Sequence, residues 1–326
     1  MTMKKRMLKL PIAPASFFAM TLGLAETGNA LRFAQETWGG SKLWGELLEG
    51  LAVLSFLWWG LLYANKWINH RYAAREEWND PVQGSFIALI PESVLLLAAA
   101  IMPYHTTFAH VLFWMGSVLN LLLAAVRLSG MWRSPRSHAQ VTPSLFLTYT
   151  ASVLVNALVA GLIGYREYGW MVFGIGVISW IILDSVIFQQ LATGGLDAKM
   201  RNFMGIYMAP GAIVLVAYQV LSGQSSDFVT YGLAGYTLFL LFSLALSYKW
   251  LREQSFAPGY WAYTFGVATA AQGLLLMVKH GATPSLTAVA GIVLAASIVV
   301  TLSVALGAAY LLAAKKYYPP VAVSKT

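Results

Sequence analysis

The 326-residue sequence contains no cysteine and few charged residues. The absence of cysteine excludes disulfides, thiolate metal sites, iron–sulfur clusters and a cysteine nucleophile. Only 10% of the residues are charged and 58% are hydrophobic, whereas about a quarter of the residues of a soluble domain are charged. Lipid is therefore the expected solvent, and we predict an all-α membrane protein.

The sequence also lacks motifs for nucleic-acid binding, nucleotide binding, metal binding and catalysis. The formal charge is +8, but the basic residues form short clusters between apolar runs, so nucleic-acid binding is not expected. No G-x-x-x-x-G-K-[ST] phosphate loop occurs, which argues against an ATP-driven pump. The five histidines show no i, i+4 ligand spacing, so no metal site is predicted. Because no nucleophile, acid pair or histidine cluster is apparent, we expect neither an enzyme nor a cofactor.

Ten stretches match a spanning helix, which needs about 20 mostly apolar residues. They lie near 13–34, 43–66, 83–102, 105–129, 144–164, 168–191, 202–222, 228–251, 258–279 and 285–314. Lys4-Lys5-Arg6 before the first run resembles a signal peptide, but the run is too long and lacks a convincing cleavage site. We predict a retained first helix and a single transmembrane domain over 1–326, with short terminal tails.

The distribution of lysine and arginine predicts the orientation. With ten spans, alternate connections hold 17 of the 21 basic residues, and the opposite side keeps only four. Those four are Arg32, Lys42, Arg166 and Lys279. Because cytoplasmic segments carry the excess of basic residues, both termini are predicted to be cytoplasmic. One helix more or fewer would largely abolish this asymmetry.

Short outer connections pair the spans into five helical hairpins, an internal repeat of architecture. Prolines occur in or at the start of the odd-numbered spans. They are Pro14, Pro91, Pro143, Pro210 and Pro258, of which Pro14, Pro91 and Pro210 are the predicted helix kinks. Proline frees backbone carbonyls, which membrane proteins tolerate where protein or a watery cavity satisfies them. The odd spans are therefore expected to form an inner ring.

Small and polar residues follow helical spacing on two of these odd spans. The stripes are Ser144, Thr148, Ser152 and Asn156, and Ala262, Phe265, Gly266, Thr269 and Gly273. Such stripes also allow helices to pack closely in membranes. Their recurrence on several odd spans favours a lined conduit.

Several segments together resemble the family of tellurite-resistance TehA proteins, slow anion channels and dicarboxylate transporters. The segments are Ser85-Phe86-Ile87-Ala88-Leu89-Ile90-Pro91, Gly164-Tyr165, Trp180-Ile181-Ile182, Gln189-Gln190-Leu191, Met204-Gly205-Ile206, Ala209-Pro210 and Trp261-Ala262-Tyr263-Thr264-Phe265-Gly266. The resemblance implies pseudo-fivefold symmetry around a central pore, a homotrimer with one pore per protomer, and a bacterial inner (plasma) membrane location.

The resemblance also implies an aromatic gate at Phe265, with Gly266 giving the ring room. The residues expected to line the pore are Gly266, Thr269, Ala262, Gly273, Ser144, Thr148, Ser152, Ser85, Ala88, Gly205 and Ala209. Thr148 replaces a proline that is usual in the family, so the fifth span is expected to be less kinked.

Three acids, Glu26, Glu92 and Asp184, fall inside predicted spans, where an ionised side chain costs at least about 2.5 kcal/mol. Each should be paired, protonated or functional. Glu92 stands where relatives have a small neutral residue, and two interpretations are open: proton coupling, or a pair with an arginine or backbone donors. Asp184 is interpreted as a structural partner. Glu26 and Arg32 are six residues apart, so each is expected to find its partner elsewhere.

We therefore predict a gated channel that passes small anions by size and dehydration cost through a mostly apolar conduit. The alternative is a proton-coupled transporter or exporter for a dicarboxylate or for tellurite, which would require alternating access.

Overall fold

The computed structural model describes residues 10–223, 226–281 and 283–319, and within these ranges every regular element is a helix. The basic residues Lys4, Lys5, Arg6, Lys9 and Lys325, which contribute to the predicted orientation, lie outside the described residues. So does the signal-like start of the chain.

Fourteen α-helices and several short 3-10 segments make up the described chain. The helices are α1 (Phe18–Trp38), α2 (Leu43–Asn69), α3 (Arg71–Asn79), α4 (Leu89–Ile101), α5 (Thr106–Arg133), α6 (Phe146–Tyr149), α7 (Ala151–Ile163), α8 (Arg166–Gly194), α9 (Met204–Tyr207), α10 (Ala209–Ser222), α11 (Phe228–Leu246), α12 (Tyr248–Leu251), α13 (Trp261–Lys279) and α14 (Pro284–Ala313). Helix α3 lies in the connection between the second and third predicted spans.

Eight helical stretches of the described chain are long and apolar enough to cross a membrane. They are Leu43–Asn69, Gln83–Ile101, Thr106–Arg133, Arg166–Gly194, Ala198–Ser222, Phe228–Leu246, Pro258–Lys279 and Pro284–Ala313. The bent pair Pro143–Tyr149 and Ala151–Ile163 brings the number to nine. Helix α1 has 21 residues, but Glu26, Asn29 and Arg32 lower its hydropathy. The protein is thus a multi-pass membrane protein, and the count of ten spans stays a prediction.

The helices divide into an inner and an outer set. Of the spans Gln83–Ile101, Ala198–Ser222 and Pro258–Lys279, 83% is buried within the protein, whereas the other five span-length helices are only 17–33% buried. Helices α1, α4, α7, α10 and α13 contact one another in that order, and α13 contacts α1. We call this closed set the inner ring. Each member also packs against the long helix that follows it in sequence. The pseudo-fivefold symmetry itself stays a prediction.

Short 3-10 segments precede the inner helices, and they gather at one end of the ring. Ala15–Phe17 contacts both Gln83–Ala88 and Pro258–Tyr260, and Gln83–Ala88 also contacts Pro143–Leu145. The three prolines predicted to kink helices lie at or near the beginning of these segments or of the helices that follow them. Pro14 caps the first segment, Pro91 is the third residue of α4, and Pro210 lies in the first turn of α10. A proline is tolerated in a first turn because its missing N–H would have no helical partner there.

The fifth predicted span is bent by 46° between α6 and α7 although Thr148 replaces a proline, and a smaller kink than in relatives stays a prediction. The break is at Thr150, which has φ −116° and ψ −76°. Side-chain hydroxyls satisfy the carbonyls near the break: Ser152 Oγ donates to Leu147 O (3.0 Å), and Ser179 Oγ donates to Tyr149 O (3.1 Å). Hydroxyl groups inserted into the backbone ladder bend a helix without proline.

Candidate functional site: a cavity inside the inner ring

A narrow cavity with a volume of about 30 Å³ lies inside the inner ring. Each of the five inner-ring helices, together with the short segment before it, forms one sector of the ring, and all five sectors contribute to the wall. The lining residues are Ala19, Leu22, Phe86, Leu89, Glu92, Leu147, Ala151, Ile206, Ala209, Trp261, Ala262 and Phe265. All but Glu92 are apolar or aromatic. A conduit walled in this way would offer no strong binding site to an ion.

Helix α13 supplies the bulkiest part of the wall. Trp261 and Phe265 are four residues apart, so they lie on the same face of the helix, one turn from each other. Phe265 is only 6% exposed and belongs to the main hydrophobic core. Phe86 adds a third aromatic ring from the 3-10 segment before α4. These rings narrow the cavity.

Four of the sequence-predicted site residues line this cavity together: Phe265, Ala262, Ala209 and Glu92. The other residues predicted to line the pore are Gly266, Thr269, Gly273, Ser144, Thr148, Ser152, Ser85, Ala88 and Gly205, and these lie outside the cavity wall. Their position along a longer pathway stays a prediction.

The glycines among them occupy close helix contacts. A Cβ on Gly205 would lie 2.6 Å from the backbone nitrogen of Tyr263, and one on Gly273 would lie 2.7 Å from Leu215 Cδ2. A Cβ on Gly266 would meet Met208 Cγ at 3.2 Å. Small residues let helices approach closely in membranes, and here they fix α13 against α9 and α10.

The hydroxyl-bearing residues mostly hydrogen-bond to carbonyls of their own segment. Thr148 Oγ1 donates to Leu145 O at 2.6 Å, and Thr269 Oγ1 donates to Phe265 O at 2.9 Å. Ser85 Oγ donates to Pro81 O at 3.1 Å, while the Ser144 hydroxyl bonds to that of Thr142 at 2.8 Å. Because each of these hydroxyl groups has a hydrogen-bond partner, its burial costs little free energy.

The two acids of the inner ring lack strong partners. Glu92 is 1% exposed, its Oε2 atom accepts no hydrogen bond, and no ion pair of the described residues includes it. The interpretation of Glu92 as the partner of an arginine thus finds no support among the described residues. Glu26 is fully buried, its Oε1 atom is unpartnered, and Oε2 receives only a 3.4 Å contact from Asn29. The two carboxyl groups are close enough to interact electrostatically.

Arg32 and Asp184, two other charged residues of the predicted spans, lie beside polar or charged side chains. Arg32 pairs with Glu49 at 2.8 Å, which confirms that Arg32 finds its partner elsewhere than Glu26. Asp184 lies on the outer helix α8, beside the hydroxyl groups of Tyr207 and Tyr236. No cluster of three or more metal-binding side chains occurs in the described part of the chain.

Sequence reasoning missed several residues around the cavity. Trp261 and Phe86 line it. Gly23 allows α1 to approach α13, since a Cβ there would lie 1.8 Å from Thr264 Oγ1. Gln272 is fully buried with both amide atoms unpartnered. The spacing Trp261, Phe265, Thr269, Gln272 could have shown that these residues share one helix face. Nothing in the sequence indicated the partner of Gly23.

The contact at Gly205 gives a stability prediction. We expect Gly205→Ala to lower the free energy of unfolding by about 1–3 kcal/mol, because the added methyl group meets the backbone of α13 and the helices must separate. Chemical denaturation in detergent micelles, followed by tryptophan fluorescence, measures this change.

The matched control is Gly232→Ala in α11, where an added Cβ meets nothing within 4 Å. That substitution should be neutral or stabilising by up to about 1 kcal/mol, because alanine favours a helix over glycine. Equal loss of stability in both variants would refute the close contact.

The fold and the cavity define a class: a helical membrane protein with a mostly apolar cavity inside a ring of helices, surrounded by lipid-exposed helices. Within that class, the chain belongs to the SLAC1 family, described as voltage-dependent anion channels, whose match covers residues 13–309. The resemblance inferred from the sequence segments is thereby confirmed.

The chain is similar to a Haemophilus influenzae protein named tellurite resistance protein TehA homolog, with 31% identity over 79% of both chains. Two Arabidopsis thaliana proteins are more distant. The S-type anion channel SLAH3 is 26% identical over 79% of this chain and 42% of its own length, and the guard cell S-type anion channel SLAC1 is 22% identical over 64% and 38%. The similarity thus spans less than half of each plant protein.

Proposed function

We propose that this protein is a gated anion channel whose pore runs through the inner ring and is closed by Phe265. The observation that carries the proposal is the cavity, to which every sector of the ring contributes. Its wall holds no basic side chain, so an anion would pass without being trapped. Conduction requires an ion to bind weakly enough to leave.

The aromatic residues support the gating part of the proposal. Phe265, Trp261 and Phe86 leave little room in the cavity, and a hydrophobic constriction of this kind stops ions by excluding water. Helix α13 is held by close glycine contacts, to its backbone at Gly205 and to its side chains at Gly23. Opening would therefore proceed by rotation of the Phe265 side chain, without movement of the helix.

Planar-bilayer recordings of the purified protein test conduction directly. With a chloride gradient and equal pH on both sides, we expect currents whose reversal potential follows the chloride gradient. With a pH gradient at symmetric chloride, we expect a reversal potential of zero. A reversal potential that shifts with the pH gradient would contradict a passive anion channel.

A proton-coupled transporter or exporter for a dicarboxylate or tellurite is the second candidate. Glu92 favours it, because this acid lines the cavity and has no ionic partner in the described chain. A carboxyl group in such a place can carry a proton with a substrate. This function requires saturable uptake driven by the proton gradient.

Glu92→Gln separates the two candidates. For the channel, we expect unchanged chloride conductance between pH 6 and 8, because the amide has the size of the neutral acid and adds no charge to the wall. For the transporter, proton-driven uptake of labelled dicarboxylate by proteoliposomes would be lost. Glu36→Gln serves as the control, since Glu36 lies at the surface in a pair with Lys279. Loss of chloride conductance in Glu92→Gln alone would contradict the passive channel.

We further propose an inner-membrane location with both termini in the cytoplasm and a homotrimeric assembly. The charge asymmetry supports the orientation, and the family resemblance supports the trimer. Because the chain has no cysteine, single cysteines introduced at exposed loop positions can be labelled from one side of intact cells without background. Native mass spectrometry in detergent gives the subunit number.

A further inference from the structure

A second cavity lies at the end of α5, away from the inner ring, and it is strongly basic. It has a volume of about 290 Å³ and lies between the end of α3, the residues that follow it, and the 126–136 region. Three arginines line it, Arg127, Arg133 and Arg136, and Asp80 is its only acidic residue. This cavity is far larger than a chloride ion requires.

The arginines have no carboxylate partner. None of the ion pairs among the described residues includes them. Arg127 Nη1 donates to Trp78 O at 2.7 Å, while its Nε and Nη2 atoms are buried without partners. Arg136 Nη1 donates to Pro81 O at 2.6 Å. Neutral carbonyls therefore receive the hydrogen bonds that a guanidinium would give to an anion.

The charges of this cavity are also poorly balanced. Arg136 is close enough to Arg127 for the two positive charges to repel each other. Burial lowers the pKa of the Arg136 guanidinium, and only Asp80 opposes that shift. Asp80 Oδ1 is already used by the backbone N–H groups of Val82 and Gln83. An anion placed between the arginines would remove this repulsion.

The surroundings of the cavity match a lipid headgroup. Above the arginines, α5 presents Leu119, Leu122 and Val126, which are 50%, 60% and 50% exposed, along one face. Trp132, which is 77% exposed, is adjacent in sequence to Arg133. Exposed tryptophans mark the membrane interface, and basic clusters at a helix end attract anionic headgroups. An acyl chain could follow the apolar face of α5 while its phosphate enters the cavity.

We propose that the Arg127, Arg133 and Arg136 cavity is a binding site for a phosphate group, carried by an anionic phospholipid headgroup or by a small soluble phosphate. Arg133 and Arg136 line the cavity, and their planar guanidinium groups suit bidentate contacts to phosphate oxygens. Arg127 contributes charge from the wall. The site does not depend on the proposed channel activity, because binding is measured without transport.

Native mass spectrometry of the full chain in detergent, titrated with phosphatidylglycerol or phosphatidylcholine, tests the lipid source. Arg133→Gln with Arg136→Gln should weaken phosphatidylglycerol binding by about fivefold for each arginine removed. The matched control is Arg71→Gln with Arg75→Gln, which removes two exposed positive charges of α3 outside the cavity. The control should retain native binding, and phosphatidylcholine binding should be the same in all variants.

A parallel arm with glycerol 3-phosphate and inorganic phosphate distinguishes the soluble source. If these probes bind with the same arginine dependence and phosphatidylglycerol does not, the phosphate site stands with a soluble ligand. The proposal is overturned if both double variants weaken binding equally or if no probe depends on the cavity arginines. Arg133→Gln alone keeps the test valid if the double variant fails to fold, because Arg133 is exposed.

Discussion

Phe265→Ala is expected to raise the single-channel chloride conductance by about tenfold, which corresponds to removing about 1.4 kcal/mol from the barrier to permeation. The Phe265 ring occupies the wall of a narrow cavity in the inner ring, and alanine would leave the space of the ring open to water and ions. Recordings in planar bilayers under symmetric chloride measure the change.

Two further variants make this prediction specific. Phe265→Leu keeps part of the bulk, so its conductance should lie between those of the native protein and Phe265→Ala. Phe239→Ala removes the same ring from α11, where Phe239 is 64% exposed, and should conduct like the native protein. If Phe265→Ala conducts no better than native protein while remaining folded, Phe265 is a packed core residue and the constriction lies elsewhere.

Glu77→Gln should lower the free energy of unfolding by about 3–5 kcal/mol, because it leaves the buried ammonium of Lys66 without a partner. The Lys66 Nζ to Glu77 Oε2 distance is 2.9 Å, and the two side chains are 5% and 7% exposed. Glu77 Oε1 also accepts a hydrogen bond from Ala15 N at 2.8 Å. One carboxylate thus connects α2, α3 and the segment that begins α1.

Chemical denaturation in micelles measures this loss, with Glu76→Gln on the exposed side of α3 as the control. Adding Lys66→Met to Glu77→Gln should recover much of the lost stability, because the uncompensated charge is then gone while the amide can still accept from Ala15 N. If the double variant is as unstable as Glu77→Gln, the unpaired charge of Lys66 is not the cause.

Lys66 shows that a count of charges along the chain does not predict which charged residues are buried in pairs. Lys66, at the end of the predicted span 43–66, is one of the 17 basic residues counted on the predicted cytoplasmic side. In the fold it lies in the last turn of α2, 4% exposed, with Glu77 as its partner. The partner lies 11 residues away, across a chain reversal. A linear charge pattern records which residues are charged, but it does not specify such a reversal.

The bend in the fifth span illustrates a second limit of prediction from the sequence. The absence of proline at Thr148 gave no signal of a sharp bend, and the chain bends by 46° at Thr150. The bend depends on Ser179 of α8, whose hydroxyl bonds to the Tyr149 carbonyl. Local propensity describes what a residue prefers by itself, and a hydroxyl group from another helix can override that preference.

The sequence alone established a cysteine-free, multi-pass helical membrane protein and its family, and four of the site residues it suggested, including Phe265, line the central cavity. The multi-pass helical class follows from hydropathy and helical periodicity, which act within one segment at a time, whereas the family and the choice of Phe265 came from the resemblance of several segments. Only the tertiary structure decided that Glu92 lacks an ionic partner in the described chain, that Gly205 contacts the backbone of α13, and that three arginines surround a basic cavity. Each of these facts depends on which helices approach one another, and that arrangement is a property of packing between distant segments.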